Sequence, residues 1–137
     1  MLIALAWPNH VHHAAAVHWF VEAGQRNWAT TPVTEAGFVR VSSNRLVIPE
    51  AKRPVDAIAL LQELTARAGH VFWEDSISLA RSELVAPERI IGHRQVTDAH
   101  LVALALQHGG RIASFDGGLA AVVPAGIDPK GLIVQLG

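Results

Sequence analysis

The sequence predicts an α/β layer fold with a mostly parallel sheet covered on both faces. Three observations carry that prediction: helical and strand-like segments alternate along the whole chain, the strand-like runs are short and apolar, and 137 residues that are 50% hydrophobic suffice for one core. Roughly two thirds of the unfolded surface is buried in a chain of this length, so residues 1–137 are expected to form a single domain. No internal repeat, low-complexity tract or linker interrupts them.

The apolar opening Met1-Leu2-Ile3-Ala4-Leu5-Ala6-Trp7 stops at Pro8, far short of the ~20 residues of a membrane span. It carries neither a basic flank nor a cleavage-like site, so neither a targeting nor a membrane segment is expected. Over residues 11–22 the apolar positions Val11, Ala14 or Ala15, His18 or Trp19, and Val21 recur at helical spacing, with Gly24 placed to stop the chain. Trp28-Ala29-Thr30-Thr31 reads as a short strand. Thr31-Pro32 then reads as an N-cap followed by proline at the first helical position, opening a helix that carries Glu35 and Arg40 and runs out near Asn44. A polar, proline-marked loop from Ile48 to Arg53 leads to Pro54. There a helix begins with Ala57, Leu60, Leu61 and Leu64 on one face, ended by Gly69.

Val71-Phe72-Trp73 is the next strand, residues 76–84 read as helical, and residues 87–95 as irregular. Thr97 is placed to cap a nearly all-apolar, and therefore buried, helix that runs to His108 and stops at Gly109-Gly110. Residues 111–116 form a strand ending in Asp116 before the turn Gly117-Gly118, and Leu132-Ile133-Val134 is the last strand.

Composition narrows the chemistry. Without cysteine there is no disulfide scaffold, thiolate zinc site or cysteine nucleophile, and a reducing, cytoplasmic setting is the expected one. With 11 Lys and Arg against 12 Asp and Glu, the net charge of −1 argues against a broad electrostatic grip on a long nucleic acid. Arg40, Arg45, Lys52, Arg53 and Arg94 are the cations most apt to touch phosphates, and a solvated face explains them equally well. No glycine-rich phosphate loop is present, which leaves nucleotide-cofactor chemistry without support.

Ligands of open parallel sheets bind beyond the carboxyl ends of the strands, and three acids fall there: Glu35, Asp98 and Asp116. Converging carboxylates make a hard-oxygen site suited to Mg²⁺ or Mn²⁺, which can orient a phosphodiester and activate water. Each acid also has a structural reading: Asp98 favours a helix N-terminus, Asp116 precedes an ordinary glycine turn, and Glu35 lies near a helix start. Four of the eight histidines, His10, His12, His13 and His18, crowd one stretch, but no third ligand is evident and they read as structural. His100 reads as a packing residue of its helix, with a supporting role beside Asp98 as the alternative. Trp7, Trp19, Trp28 and Trp73 read as packing residues rather than base-stacking ones.

Three blocks together resemble, in order and spacing, the acidic motifs of PIN-domain ribonucleases, in particular the VapC toxins of bacterial VapBC toxin–antitoxin pairs. They are Thr30-Thr31-Pro32-Val33-Thr34-Glu35-Ala36-Gly37-Phe38-Val39-Arg40-Val41, Thr97-Asp98-Ala99-His100-Leu101-Val102-Ala103-Leu104-Ala105, and Ser114-Phe115-Asp116-Gly117-Gly118-Leu119. The opening helix with His12-His13-Ala14-Ala15 and Trp19-Phe20 also resembles that family's first long helix. The resemblance implies a three-layer α/β/α fold and a Mg²⁺-dependent endoribonuclease acting on tRNA or rRNA. It also implies neutralisation by a cognate VapB-type antitoxin, and a homodimer. By position, Glu35, Asp98 and Asp116 match three of the family's four acids and would hold the metal. Ser114 matches the hydroxyl residue that helps position the water or ion.

The family's first acid closes an N-terminal strand and precedes a run like Asn-Val-Leu-Ile-Ala-Leu. This chain opens at Met1-Leu2-Ile3-Ala4-Leu5, just past that point, and is expected to be short there, without that strand and aspartate. Hence the alternative of a catalytically silent PIN-like module that binds antitoxin or RNA without cleavage. A flavodoxin-like or receiver-like domain would need an acidic phosphoacceptor pocket after the first strand, which the sequence does not provide.

Overall fold

Each strand-like run of the sequence forms a strand, and each strand pairs in parallel. In a computed structural model describing residues 1–137, β1 (Trp28–Thr30) pairs with β2 (His70–Phe72), and β3 (Ile112–Ser114) with β4 (Ile133–Gln135). Helices α1 (Leu2–Ala6), α2 (His13–Glu22), α3 (Pro32–Ser42), α4 (Pro54–Thr65), α5 (Val96–His108) and α6 (Pro129–Leu132) alternate with them. The chain is thus of the expected α/β class. Its strands are hydrogen-bonded as two pairs, one in each of two compact units, Met1–Glu74 and Asp75–Gly137. No helix is long and apolar enough to cross a membrane.

In the first unit α3 and α4 form the crossover between β1 and β2. Phe38, Leu61 and Leu64 are buried between those helices, with Leu2, Ile3, Ala6, Trp28, Val39 and Leu60 packed against them. The start of α3 is fixed locally: the Thr31 hydroxyl accepts from the Thr34 amide at 3.2 Å and the Thr34 hydroxyl from the Thr31 amide at 2.8 Å, closing a capping box before Pro32. Trp7, just past α1, donates its indole N–H to the buried Ser42 hydroxyl at the end of α3, 3.1 Å away.

In the second unit α5 packs on β3 and on the 3₁₀ segment Gly117–Val122. Ala99, Val102, Ala103, Leu104 and Ala105 are buried, as are Leu119, Val122, Val123, Leu132 and Leu136.

Three local expectations are corrected. Residues 76–84 are turns rather than helix, because Asp75 Oδ1 accepts from the Ile77 amide and Ser82 Oγ from the Leu84 amide, side-chain bonds that compete with a helical ladder. Helix α5 starts at Val96, not after a Thr97 cap; Gln95 is its N-cap, and its side chain instead accepts from the Ile91 and Gly92 amides of the preceding turn. The early helix begins at His13 rather than at residue 11, which leaves His10 and His12 ahead of it. His13 instead donates Nδ1–H to the Ala4 carbonyl at 2.8 Å, and His10 Nδ1 accepts from the His12 amide.

Of the four glycines with positive φ, two flank the elements that carry the candidate acids and their partners. Gly109, at φ 63°, closes α5 and has open space where a Cβ would stand. Gly69, at φ 85° directly before β2, has backbone oxygens of Gln25 and Arg26 at 2.2 and 2.9 Å from that point. Gly109→Ala is therefore expected to cost about 1 kcal/mol, the left-handed penalty alone. Gly69→Ala should cost clearly more, because the chain must also move; urea unfolding of the two variants checks the order.

Candidate active site

Asp98 lies in the first turn of α5, and Asp116 stands just beyond β3, past Phe115, at the N-cap of Gly117–Val122. The Asp116 position is built by two short bonds. Its amide donates to Ser114 Oγ at 3.0 Å, and its Oδ1 accepts from the Gly118 amide at 2.7 Å. This leaves Oδ2 of Asp116 outside the turn, and the Ser114 hydroxyl proton still available to donate.

Asp98 is half-buried, and burial pushes its carboxyl above the ordinary aspartate range; the charge of Asp116 pushes it further the same way. No protein hydrogen bond offsets either effect. Two carboxylates that share a field without a cationic partner offer oxygen donors only, and a hard divalent cation held between them would relieve their repulsion. Nowhere do three or more acidic or histidine side chains stand together as a ready-made cage. A pair suits an ion that keeps most of its waters, as Mg²⁺ does when held by one or two carboxylates.

Glu35 belongs to the first unit, one turn into α3. Its Oε1 accepts from the Thr30 hydroxyl at 2.6 Å, and Thr30 Oγ1 lies 2.8 Å from His70 Nε2. His100 is not bonded to Asp98: its Nε2 lies 2.6 Å from Asp75 Oδ2, with the side chains only 16% and 11% exposed. Burial pushes the Asp75 carboxyl up, but the hydrogen bonds from His100 and the Ile77 amide, with the charges of His100 and His108, outweigh it and hold it below the usual range. Sequence reading missed both histidine contacts. The register of β1 on β2 makes the first and the irregular segment after Glu74 makes the second, and neither has a local signal.

Residues 1–123 match the PIN domain family. The chain belongs to the PIN-domain family. It is 50% identical over 127 residues to Ribonuclease VapC39 of Mycobacterium tuberculosis (strain ATCC 25618 / H37Rv), covering 93% of this chain and 91% of that protein. It is 48% identical to Ribonuclease VapC38 of the same strain, over 86% of this chain and 82% of that one. To Ribonuclease VapC44 it is 36% identical, over 92% and 88% of the respective chains. The likeness runs nearly end to end, so this PIN-domain chain groups with the VapC proteins over both of its units.

The shared field of Asp98 and Asp116 has a measurable sign. A carboxyl that keeps its proton above the ordinary value of 3.8 makes the folded state bind more protons than the unfolded one just above that pH. Stability then falls as pH rises from there through the raised value. In Asp116→Asn, carboxyl NMR is expected to show Asp98 titrating closer to 3.8, with a smaller fall in stability over that window.

Proposed function

We propose that this chain is a Mg²⁺-dependent endoribonuclease of the toxin type, with Mn²⁺ an alternative ion. The observation that carries the reading is the unneutralised Asp98–Asp116 pair, in a chain whose family relatives are named ribonucleases. Asp98 and Asp116 are the residues that would hold the ion. Bound there, Mg²⁺ would supply an activated water and neutralise charge developing on the phosphate oxygens. Asp116 Oδ1 accepts from the Gly118 amide, which holds the carboxylate in place and leaves Oδ2 the less engaged oxygen. Ser114 accepts the Asp116 amide and so has its O–H left to orient a water or a phosphate oxygen.

Glu35 is assigned as the third acid on its place in the sequence block. Its Oε1 is engaged by Thr30, which leaves Oε2 to ligate or to accept a proton. All of residues 1–137 are proposed to serve one PIN-type domain. A net charge of −1 suits a compact target contacted over a few phosphates, such as a stem-loop of tRNA or rRNA, rather than a long duplex. Membership among VapC proteins supports a VapB-type antitoxin as partner, action as a homodimer, and a cytoplasmic location.

A second reading is favoured by one observation, the want of any group of three or more ligating side chains: a binding module that captures antitoxin or RNA without cutting. Cleavage of a tRNA and rRNA panel by the chain, with and without Mg²⁺, separates the two. Mg²⁺-stimulated cutting that falls on the order of 100-fold in Asp98→Ala, the scale of losing one group that stabilises transition-state charge, supports the enzyme. Unchanged cutting in that variant removes the assigned site, and tight RNA binding with no turnover favours the module.

A further inference from the structure

The bond between Thr30 and Glu35 does not stand alone. Thr30 is fully buried, and its single hydroxyl oxygen is shared between Glu35 Oε1 at 2.6 Å and His70 Nε2 at 2.8 Å. A hydroxyl has one proton to give. If it goes to an ionised Glu35, the histidine nitrogen must itself carry a proton and donate to the Thr30 oxygen. The reverse arrangement, with Nε2 accepting, would need Glu35 protonated. An ionised Glu35 therefore requires Nε2–H on His70.

The strand pairing places this histidine. His70 is registered against Trp28 in the parallel ladder, with Thr30 two residues further along the same strand and so on the same face. Its ring meets the Trp28 ring edge-on, with centroids 4.6 Å apart, and Gly69 before it has no room for a side chain. The imidazole is thus held by packing on one side and spends Nε2 on Thr30. The Trp28-Ala29-Thr30 strand and the Pro32–Ser42 helix are tied at their junction through side chains as well as through the capping box.

We propose that His70 is a positioning residue for Glu35, acting through Thr30. It keeps the Thr30 hydroxyl aimed at Oε1 and thereby fixes the direction in which Oε2 is presented. The inference rests on the reading of Glu35 as a working acid, and reaches beyond it to a residue that touches neither substrate nor ion.

The test uses the full chain and a cleavable RNA from the panel. His70→Phe keeps a ring but loses the donor; His70→Gln restores an N–H at similar reach; Thr30→Val removes the relay while nearly keeping its shape. The expected result is a kcat lowered on the order of 10-fold in His70→Phe and Thr30→Val, the lower end of what losing such supporting partners costs, with KM unchanged. His70→Gln should recover most of the rate, and the double variant should lose no more than either single one. In the unmodified protein, ¹⁵N-edited spectra of the ring should show a proton on Nε2 of His70, a readout independent of activity and of how well the variants fold. Full activity in Glu35→Gln would overturn the reading of Glu35 and the inference with it. Loss in Glu35→Gln beside full rates in His70→Phe, or a His70 ring protonated on Nδ1 alone, would overturn the positioning role while leaving Glu35 in place.

Discussion

Helix α5 has to be buried on most of its surface, and the second unit is arranged to satisfy that requirement. Ala99 and the run from Val102 to Ala105 are enclosed, so the polar side chains of the helix are pushed toward its ends and each needs a partner there. His100 finds Asp75, and Gln107 finds Ser76 at 2.8 Å, which lays the segment after Glu74 along the helix. Asp98 is the exception. It sits in the first turn with the helix dipole in its favour, yet half out of water and facing the charge of Asp116 with no cation of the protein nearby. Asp75, its side chain 11% exposed, is satisfied by two hydrogen bonds, whereas half-buried Asp98 is left unneutralised, a contrast that motivates the proposal of a working site at this end of the helix.

The first unit solves a different problem, that of holding a carboxylate still with strands of only three residues. Backbone pairing that short does little to fix a neighbouring helix. The precision comes from Gly69, which lets β2 approach closely, from the capping box at Thr31, and from the buried Thr30 hydroxyl that joins Glu35 to His70. Each device is small, on the order of 1 kcal/mol for a hydrogen bond or a cap. Together they leave Glu35 little freedom at Oε1. The structure does contain one imperfection nearby: the indole N–H of Trp28 is buried without a partner, a cost accepted for the ring's packing against Phe20 and His70.

What could be read from the sequence was what is decided locally. Thr31-Pro32 announced the start of α3 and Gly109 the end of α5, because capping and left-handed turns depend on a few adjacent residues. The four strands were found within a residue or two of their bounds for the same reason. The helix expected over residues 76–84 failed because Asp75 and Ser82 bond to the backbone themselves, an outcome that apolar periodicity does not register. Of the proposed site, Asp116 was legible as an acid closing a strand before a glycine turn, whereas Ser114 was marked only by the family resemblance; the bond from the Asp116 amide to Ser114 Oγ belongs to that turn. The His70–Thr30 contact spans 40 residues of sequence and exists only through the parallel register, so no local pattern could announce it.

The central claim is that Asp98 and Asp116 form a place for a divalent cation. Its most direct test is a Mg²⁺ titration followed by amide NMR, free of any RNA. Saturable shifts centred on Asp98, Ser114, Asp116 and Gly118, and absent in Asp98→Asn, are the expected result. Shifts that stay linear with Mg²⁺, or that centre on other acids and persist in the variant, would contradict it.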